Sequence, residues 1–458
     1  MYRNRLLPGR NMKPCDGTDT DGKQDNTGRR GAMNVKQRWI YGFTGFLVLI
    51  FLGMIYAWSI FIQPLESEFG WIRSQTSAIF SISMIFFCVG NLAAGVITPR
   101  TSPRISIFIA ACAIFAGFFA SSFTSGLVWI YVSYGVLCGF AVGIGANTVL
   151  STSLKWFADK QGMASGTLLM GFGFGSMVLS PFVTMMLGRL GWRSTFKLLS
   201  IVFGLLLMAG AVILRNPPKE VMEILTARGK KKNILSQKNY TAGEMLRTRA
   251  FRLFFLWLIL LASGGLALIG NAVPAAQDVL YGTMEEQEAL LLATTAMGTI
   301  SVFNGLGRFG TGIIWDRKGF RAALTVISGS YILSMVLLAL SASMGIFPVL
   351  VAGFILLGAA YGGSMSVGSA MIGSFFGQLH YSMNYACATC NLIVAALIGP
   401  TAAGMLQTSY GSYLTSYYLF LALGIVSMAV AMCIRKPQEV LEETVVQPRT
   451  AADNRGSG

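Results

Sequence analysis

The chain has 458 residues, of which 54% are hydrophobic and 12% charged, and it carries a formal net charge of +16. Soluble domains carry about 25% charged residues, so this chain cannot cover a water-facing surface, and a soluble globular protein is excluded. The excess of base would suit nucleic acid, but its distribution along the chain suits a membrane.

The first 40 residues are polar and rich in Gly, Asp and Arg. They lack an apolar core, so a disordered cytoplasmic tail is expected rather than a cleavable signal peptide. Met33, just before "NVKQRW", is an alternative start. From residue 41 onward, apolar runs recur that are long enough to cross about 30 Å of hydrocarbon. Twelve spans are read, at 41–62, 76–97, 105–124, 127–150, 163–186, 198–214, 251–273, 289–313, 322–343, 346–374, 384–406 and 414–434. Lipid offers the backbone no hydrogen bonds, so the spans are helices. The alternation of a membrane barrel is absent. The expected fold is an all-α polytopic membrane protein of twelve transmembrane helices. Its six-helix halves cover 41–214 and 251–434, with a central cytoplasmic loop at 215–250 and a cytoplasmic tail at 435–458.

Basic residues set the orientation. With the N-terminus in the cytoplasm, thirty Lys and Arg fall on the cytoplasmic side. Four fall outside: Arg73, Arg189, Arg193 and Lys197. This asymmetry predicts a multi-pass protein of the cell (plasma or inner) membrane with both termini cytoplasmic. The run "RGKKKN", with Lys230 to Lys232, suits an anionic leaflet. It lacks the interleaved aromatics of a nucleic-acid platform.

One basic residue remains, Arg308 in span 8, and none of the 19 acids lies inside a span. An intramembrane cation costs between about 3 and more than 10 kcal/mol and usually faces a cavity or a partner. Two readings stand. Arg308 lies eight residues before Asp316, so its side chain can snorkel to interfacial water. Alternatively, a negatively charged substrate is the missing partner. Asn304 and Ser301, four and seven residues earlier, share its helix face.

Span 4 carries Gly139, Gly143 and Gly145, and span 5 carries Gly166, Gly171, Gly173 and Gly175. Such residues let membrane helices approach closely. Cys387 and Cys390 share a helix face without His, Asp or Glu nearby, and read as packing residues rather than a metal site. The only histidine, His380, stands in a loop without a catalytic cluster. No cofactor, metal or enzymatic activity is expected.

The halves echo each other. "GVITPRTSPR" follows span 2 and "GIIWDRKGFR" follows span 8, aligning Gly95 with Gly312, Arg100 with Arg317 and Arg104 with Arg321. This resembles the loop signature of the major facilitator superfamily, with its repeated six-helix halves. The second copy has Asp316 where the first has Pro99. The alternative for both is an ordinary positive cytoplasmic turn.

"KWFADKQGMASG" (155–166), "AGEMLRTRAF" (242–251), "GNAVP" (270–274) and "NGLGRFGTGIIWDRKG" (304–319) resemble the oxalate/formate antiporter family, relatives of monocarboxylate porters. The resemblance runs from about Arg38 to Arg435. It implies secondary transport of small organic anions by alternating access, through exchange or proton-linked symport. The arginine of the family's N-G-x-x-R pattern binds substrate carboxylate, which implies that role for Arg308. The oxalate carrier has a lysine on helix eleven. The corresponding position here is Leu392, which points to a monocarboxylate rather than oxalate. The resemblance also implies Tyr56 and Tyr361 near the substrate, and a gating role for Gly312, Asp316, Arg317, Arg321, Arg100 and Arg104. The expected partners are the anion and the bilayer, with the carrier a monomer. Alternatives are an oxalate or dicarboxylate:formate antiporter, a major facilitator exporter of another small molecule, and a non-transporting membrane sensor or scaffold.

Overall fold

The structure is a computed structural model that describes residues 37–231, 238–282 and 284–437. The expected tails beyond residue 36 and residue 437 lie outside the described residues. The described residues are helical and contain no strand. Among them, ten helical stretches are long and apolar enough to cross a membrane. Two of these run 53 residues each, Gln161–Ile213 and Leu292–Met344. At 1.5 Å per residue that is about 80 Å, far more than a bilayer needs. Each is broken by a glycine outside helical geometry, Gly191 (φ 73°, ψ 165°) and Gly319 (φ 83°, ψ 175°). Only glycine adopts that backbone readily. Each long stretch is therefore two spans meeting at a one-residue turn, and the bundle has twelve crossings.

This refines the sequence reading at spans 5 and 6. Arg193 and Lys197 belong to the helix that follows Gly191, not to an outer loop. Span 6 therefore begins about six residues earlier than its apolar run. Span 1 is also more elaborate than a single helix. Arg38–Leu52 passes through a tighter turn at Gly53–Ala57 into Ser59–Phe69. The central segment, expected as a loop, contains the helices Lys219–Lys231 and Ala242–Arg247.

Helix starts follow from local chemistry. Ser102 accepts a hydrogen bond from the Ile105 amide, with Pro103 in the first turn of span 3. Thr248 caps span 7 by accepting from the Phe251 amide. Span 5 has no cap of its own; Lys160, at its N-cap, makes no side-chain bond. Its cap comes from the other half. The Asp316 carboxylate accepts from the Gly162 and Met163 amides at 2.9 and 2.7 Å. An acid at a helix N-terminus satisfies orphan donors and complements the dipole. The end of span 8 and the start of span 5 are thereby tied together.

The base of the bundle, defined here as the side bearing residues 37 and 437, is where the halves meet most closely. Gln378 Nε2 donates to Gln161 Oε1 at 3.0 Å, and Ser165 Oγ to the Ser366 carbonyl. Asn147 donates to the Ser382 carbonyl and accepts from its hydroxyl. The central segment closes over this seam. Asn239 Oδ1 accepts from the Gln378 and Leu379 amides, while the Tyr240 carbonyl accepts from Asn384. On the opposite side, the crown, spans 5 and 8 part. Met177 shares a helix face with Gly166 and Gly173, yet it is exposed, as is Ser301 on the facing helix.

Candidate functional site

The site is built by the glycine-rich stretch of span 5. In "GFGFG", Gly171 and Gly175 lie against span 1, where an added Cβ would stand 2.8 Å from the Phe46 carbonyl and 2.3 Å from that of Ile50. Gly173, between them, faces the Arg308 guanidinium; a Cβ there would sit 3.4 Å from Cζ. Phe172 turns toward the bundle centre, and Phe174 lies over Gly305 of span 8. One short run thus docks span 1 on one face and admits a long cation on the other.

Arg308 is 4% exposed. It does not snorkel. Its Nε donates to Asn304 Oδ1 at 2.9 Å, one turn earlier, and its Nη1 donates to the Leu169 carbonyl at 2.7 Å. The second bond crosses from the C-terminal half to span 5 of the N-terminal half. A guanidinium has five donors in a fixed plane, so these two bonds orient it and leave three hydrogens on Nη1 and Nη2. Arg308 forms no ion pair among the described residues.

The guanidinium lines a small cavity of about 30 Å³ between the halves. Leu49, Tyr56, Phe87, Asn91, Ala146, Leu150, Leu169 and Phe172 line it from the N-terminal half. Met365, Tyr385, Thr389 and Leu392 join Arg308 from the other. Arg308 is the only charged residue in this lining. Asn91, Thr389 and the two tyrosines add neutral polar groups to a wall that is otherwise apolar, with Tyr56 edge-on to Phe172 at 5.5 Å and Tyr385 stacked on Tyr381 at 5.7 Å. A cation in so dry a setting attracts an anion far more strongly than in water. The space admits a group of only a few atoms unless side chains move.

The residues singled out from the sequence separate by position. Arg308, Asn304 and Tyr56 come together, and Leu392 joins them in the wall. Tyr361 stands one layer back, packed on Ala262 and Ala395 with Leu392 and Met365 beside it. Ser301 is exposed where spans 5 and 8 part, and does not line the cavity. Tyr385, Thr389 and Asn91 were not singled out. Positions 385, 389 and 392 follow the i, i+4, i+7 spacing of one helix face, which was the available signal.

The loop-motif residues also divide. Gly312 lies where spans 8 and 5 cross, and a Cβ on it would stand 2.3 Å from the Gly162 carbonyl. Gly95, its counterpart, packs against Met383 at the start of span 11. Asp316 makes the cap described above. Pro99 offers no such cap to span 11, whose start is held by Asn147 and Ser382 instead. Arg100, Arg104, Arg317 and Arg321 are exposed. Arg104 donates to the Val212 carbonyl at 3.3 Å, and Arg321 lies 5.9 Å from the centre of the Phe320 ring. At the same base, Arg38 pairs with Asp159 at 3.1 Å. Among the described residues no group of three or more His, Cys, Asp or Glu is placed to hold a metal.

Comparison with known proteins gives one consistent result. The model of the family described as Major Facilitator Superfamily matches residues 43–349. The oxalate:formate antiporter of Oxalobacter formigenes is 25% identical over 378 residues, covering 82% of this chain and 86% of that one. Human monocarboxylate transporter 1 is also 25% identical, over 82% of this chain and 83% of its own. Among solved structures, the proton:xylose symporter XylE bound to 6-bromo-6-deoxy-D-glucose superposes with a TM-score of 0.64 at 15% identity. That superposition covers 88% of this chain and 97% of XylE, and establishes a shared fold.

Proposed function

The chain belongs to the Major Facilitator Superfamily of transporters, and from that premise we propose that it carries small monocarboxylates across the cell membrane by alternating access around Arg308. The observation that carries the proposal is the setting of that residue: a cation held between the two halves, in a mostly apolar cavity, without a carboxylate among the described residues to neutralise it. Two relatives support the substrate class. One is named for oxalate and formate, the other for monocarboxylates.

The single cation favours one carboxylate over two. Two unit charges 4 Å apart are worth about 4 kcal/mol at an effective dielectric of 20. A dianion would find no second cation in the lining, whose other residues are all neutral. The hydrogens on Nη1 and Nη2 not engaged by Leu169 can grip one carboxylate through parallel hydrogen bonds, with the Tyr56 side chain beside them. The lining holds no acid, so a proton that moves with the substrate travels on the substrate or on water, and exchange of one anion for another needs no such step. Binding neutralises Arg308 and removes the charge penalty that opposes closure of the empty carrier. The basic asymmetry supports a plasma or inner membrane location with the base of the bundle in the cytoplasm. The carrier works as a monomer, since its site lies within one chain.

Uptake of labelled formate, acetate, lactate and oxalate into proteoliposomes tests this reading. Monocarboxylates should enter and oxalate should compete poorly. Arg308→Gln should reduce uptake about a hundredfold or more, because two charge-assisted hydrogen bonds of roughly 1.5–3 kcal/mol each are lost. Arg308→Lys should retain only part of the activity, since the planar fork is gone. Arg308→Gln should also raise the melting temperature of the empty protein, because an unpaired buried cation has been removed. Near-normal uptake by the Gln variant would refute the role of Arg308.

A further inference from the structure

A second cavity lies away from the substrate site, at the base of the bundle between the start of span 7 and the end of span 12. Its volume is about 680 Å³. Three cations line it. Arg249 comes from the first turn of span 7, and Arg435 and Lys436 stand just beyond Cys433, where span 12 ends. Among the described residues no carboxylate lines it. The start of the Arg249–Leu280 helix, represented by Arg249 and Ala250, adds the positive end of a long dipole. Arg249 and Arg435 are exposed and form no ion pair among the described residues.

The floor of the cavity has the opposite character. Leu253 and Met432 line it. Leu256 continues the helix face of Arg249 and Leu253 and is exposed, as are Met432 and Ile425 on span 12. An exposed apolar strip on a membrane-spanning helix faces acyl chains. The cavity therefore joins a cationic mouth, at the depth where headgroups lie, to an apolar path running down into the bilayer.

We infer that this cavity binds the phosphodiester headgroup of an anionic phospholipid, with Arg249, Arg435 and Lys436 holding the phosphate and the strip below them receiving an acyl chain. Phosphate esters in general share the headgroup chemistry. The apolar floor selects the lipid form, because a soluble phosphate ester leaves Leu253 and Met432 uncovered. A basic pocket between membrane helices is a recognised setting for anionic headgroups, and each nearby cation contributes about fivefold to affinity.

The test uses the full chain in a neutral detergent, titrated with phosphatidylglycerol, phosphatidylcholine or sn-glycerol 3-phosphate. Bound lipid is counted by native mass spectrometry and stability is followed by melting temperature. Phosphatidylglycerol should bind and stabilise, and the other two should not. The triple variant Arg249→Gln/Arg435→Gln/Lys436→Gln should lose about a hundredfold in phosphatidylglycerol affinity. Arg317→Gln/Lys318→Gln/Arg321→Gln, which removes equal charge elsewhere at the base, should retain it. Unchanged phosphatidylglycerol binding in the triple variant overturns the site, as does equal loss in the control. Equal stabilisation by glycerol 3-phosphate overturns the lipid as ligand. If the triple variant is misfolded by size exclusion, Arg435→Gln alone should show the fivefold loss, and its absence overturns the site.

Discussion

At the scale of single residues, Arg308 was legible because a charge in an apolar run is rare and costly. Its two hydrogen-bond partners were only half legible. Asn304 is one helical turn away and follows from periodicity, whereas the Leu169 carbonyl lies 139 positions distant and depends on how two helices meet. Ser301 illustrates the limit of the same argument. Helical spacing places it on the face of Arg308, but about 10 Å along the axis, beyond the point where span 5 departs. Periodicity gives direction and not the position of a neighbour. Leu392 offers the sharpest test at this scale. In the wall opposite so much apolar surface, Leu392→Lys would supply a second cation. The variant should shift preference from monocarboxylates toward oxalate by roughly tenfold or more, given the interaction energy of a second charge pair. An unchanged ratio of oxalate to formate uptake in a well-folded variant would show that this position does not meet the substrate.

At the scale of elements, the seam between spans 5 and 8 rests on backbones in contact. Gly312→Ala would push a methyl group to 2.3 Å from the Gly162 carbonyl. Overpacking of this kind costs roughly 1–3 kcal/mol, whereas alanine in a helix interior normally stabilises by about 0.5–1 kcal/mol relative to glycine. The seam-closed state should therefore lose population about tenfold. Spin labels at positions 160 and 318 should report longer distances in the variant. An unaltered distance distribution would mean that the crossing relaxes around the methyl group. The crown provides a contact of another kind. Trp192 Nε1 and the Arg193 guanidinium both donate to the Glu68 carboxylate. The Trp192 bond, then that of Arg193, holds the Glu68 pKa below its ordinary value of 4.5. The stabilisation is therefore fully present above about pH 4.5 and is lost as pH falls through the lower folded-state value. Exposed pairs contribute under about 1 kcal/mol, so the effect should be local. Protection factors across 59–69, taken relative to the intrinsic exchange rate at each pH, should fall between pH 5 and 3, and Glu68→Gln should flatten the profile. Pairing across such sequence distances, like the trans cap from Asp316, was beyond what spacing alone could reveal.

At the scale of the molecule, the twelve-span architecture was readable from apolar length, and the halves from their repeated loop motif. The one-residue turns were not, because a glycine at φ 73° or φ 83° looks in sequence like any other. The asymmetry between the repeats was foreshadowed by Pro99 against Asp316 and is visible in how spans 11 and 5 are held at their starts. A carrier whose empty site contains an uncompensated cation should switch reluctantly when unloaded. Counterflow of labelled formate against internal formate should therefore exceed net efflux into anion-free buffer by about tenfold or more, since even 1.4 kcal/mol of charge penalty on the empty form changes a rate tenfold. Equal rates in the two assays would remove the link between site charge and closure.

The turn at Gly191 bears on how the chain is assembled. Arg189 and Arg193 flank it and Lys197 follows, so most of the basic residues at the crown are gathered on this one hairpin. With the base of the bundle cytoplasmic, as proposed, that cluster has to be drawn through the bilayer against its electrostatic preference as the ribosome delivers spans 5 and 6. Glu68 precedes it by more than a hundred residues, so on the same orientation it crosses earlier, with spans 1 and 2. The acid is waiting when Arg193 arrives. On that orientation, synthesis order gives the awkward passage a destination in the Glu68 carboxylate.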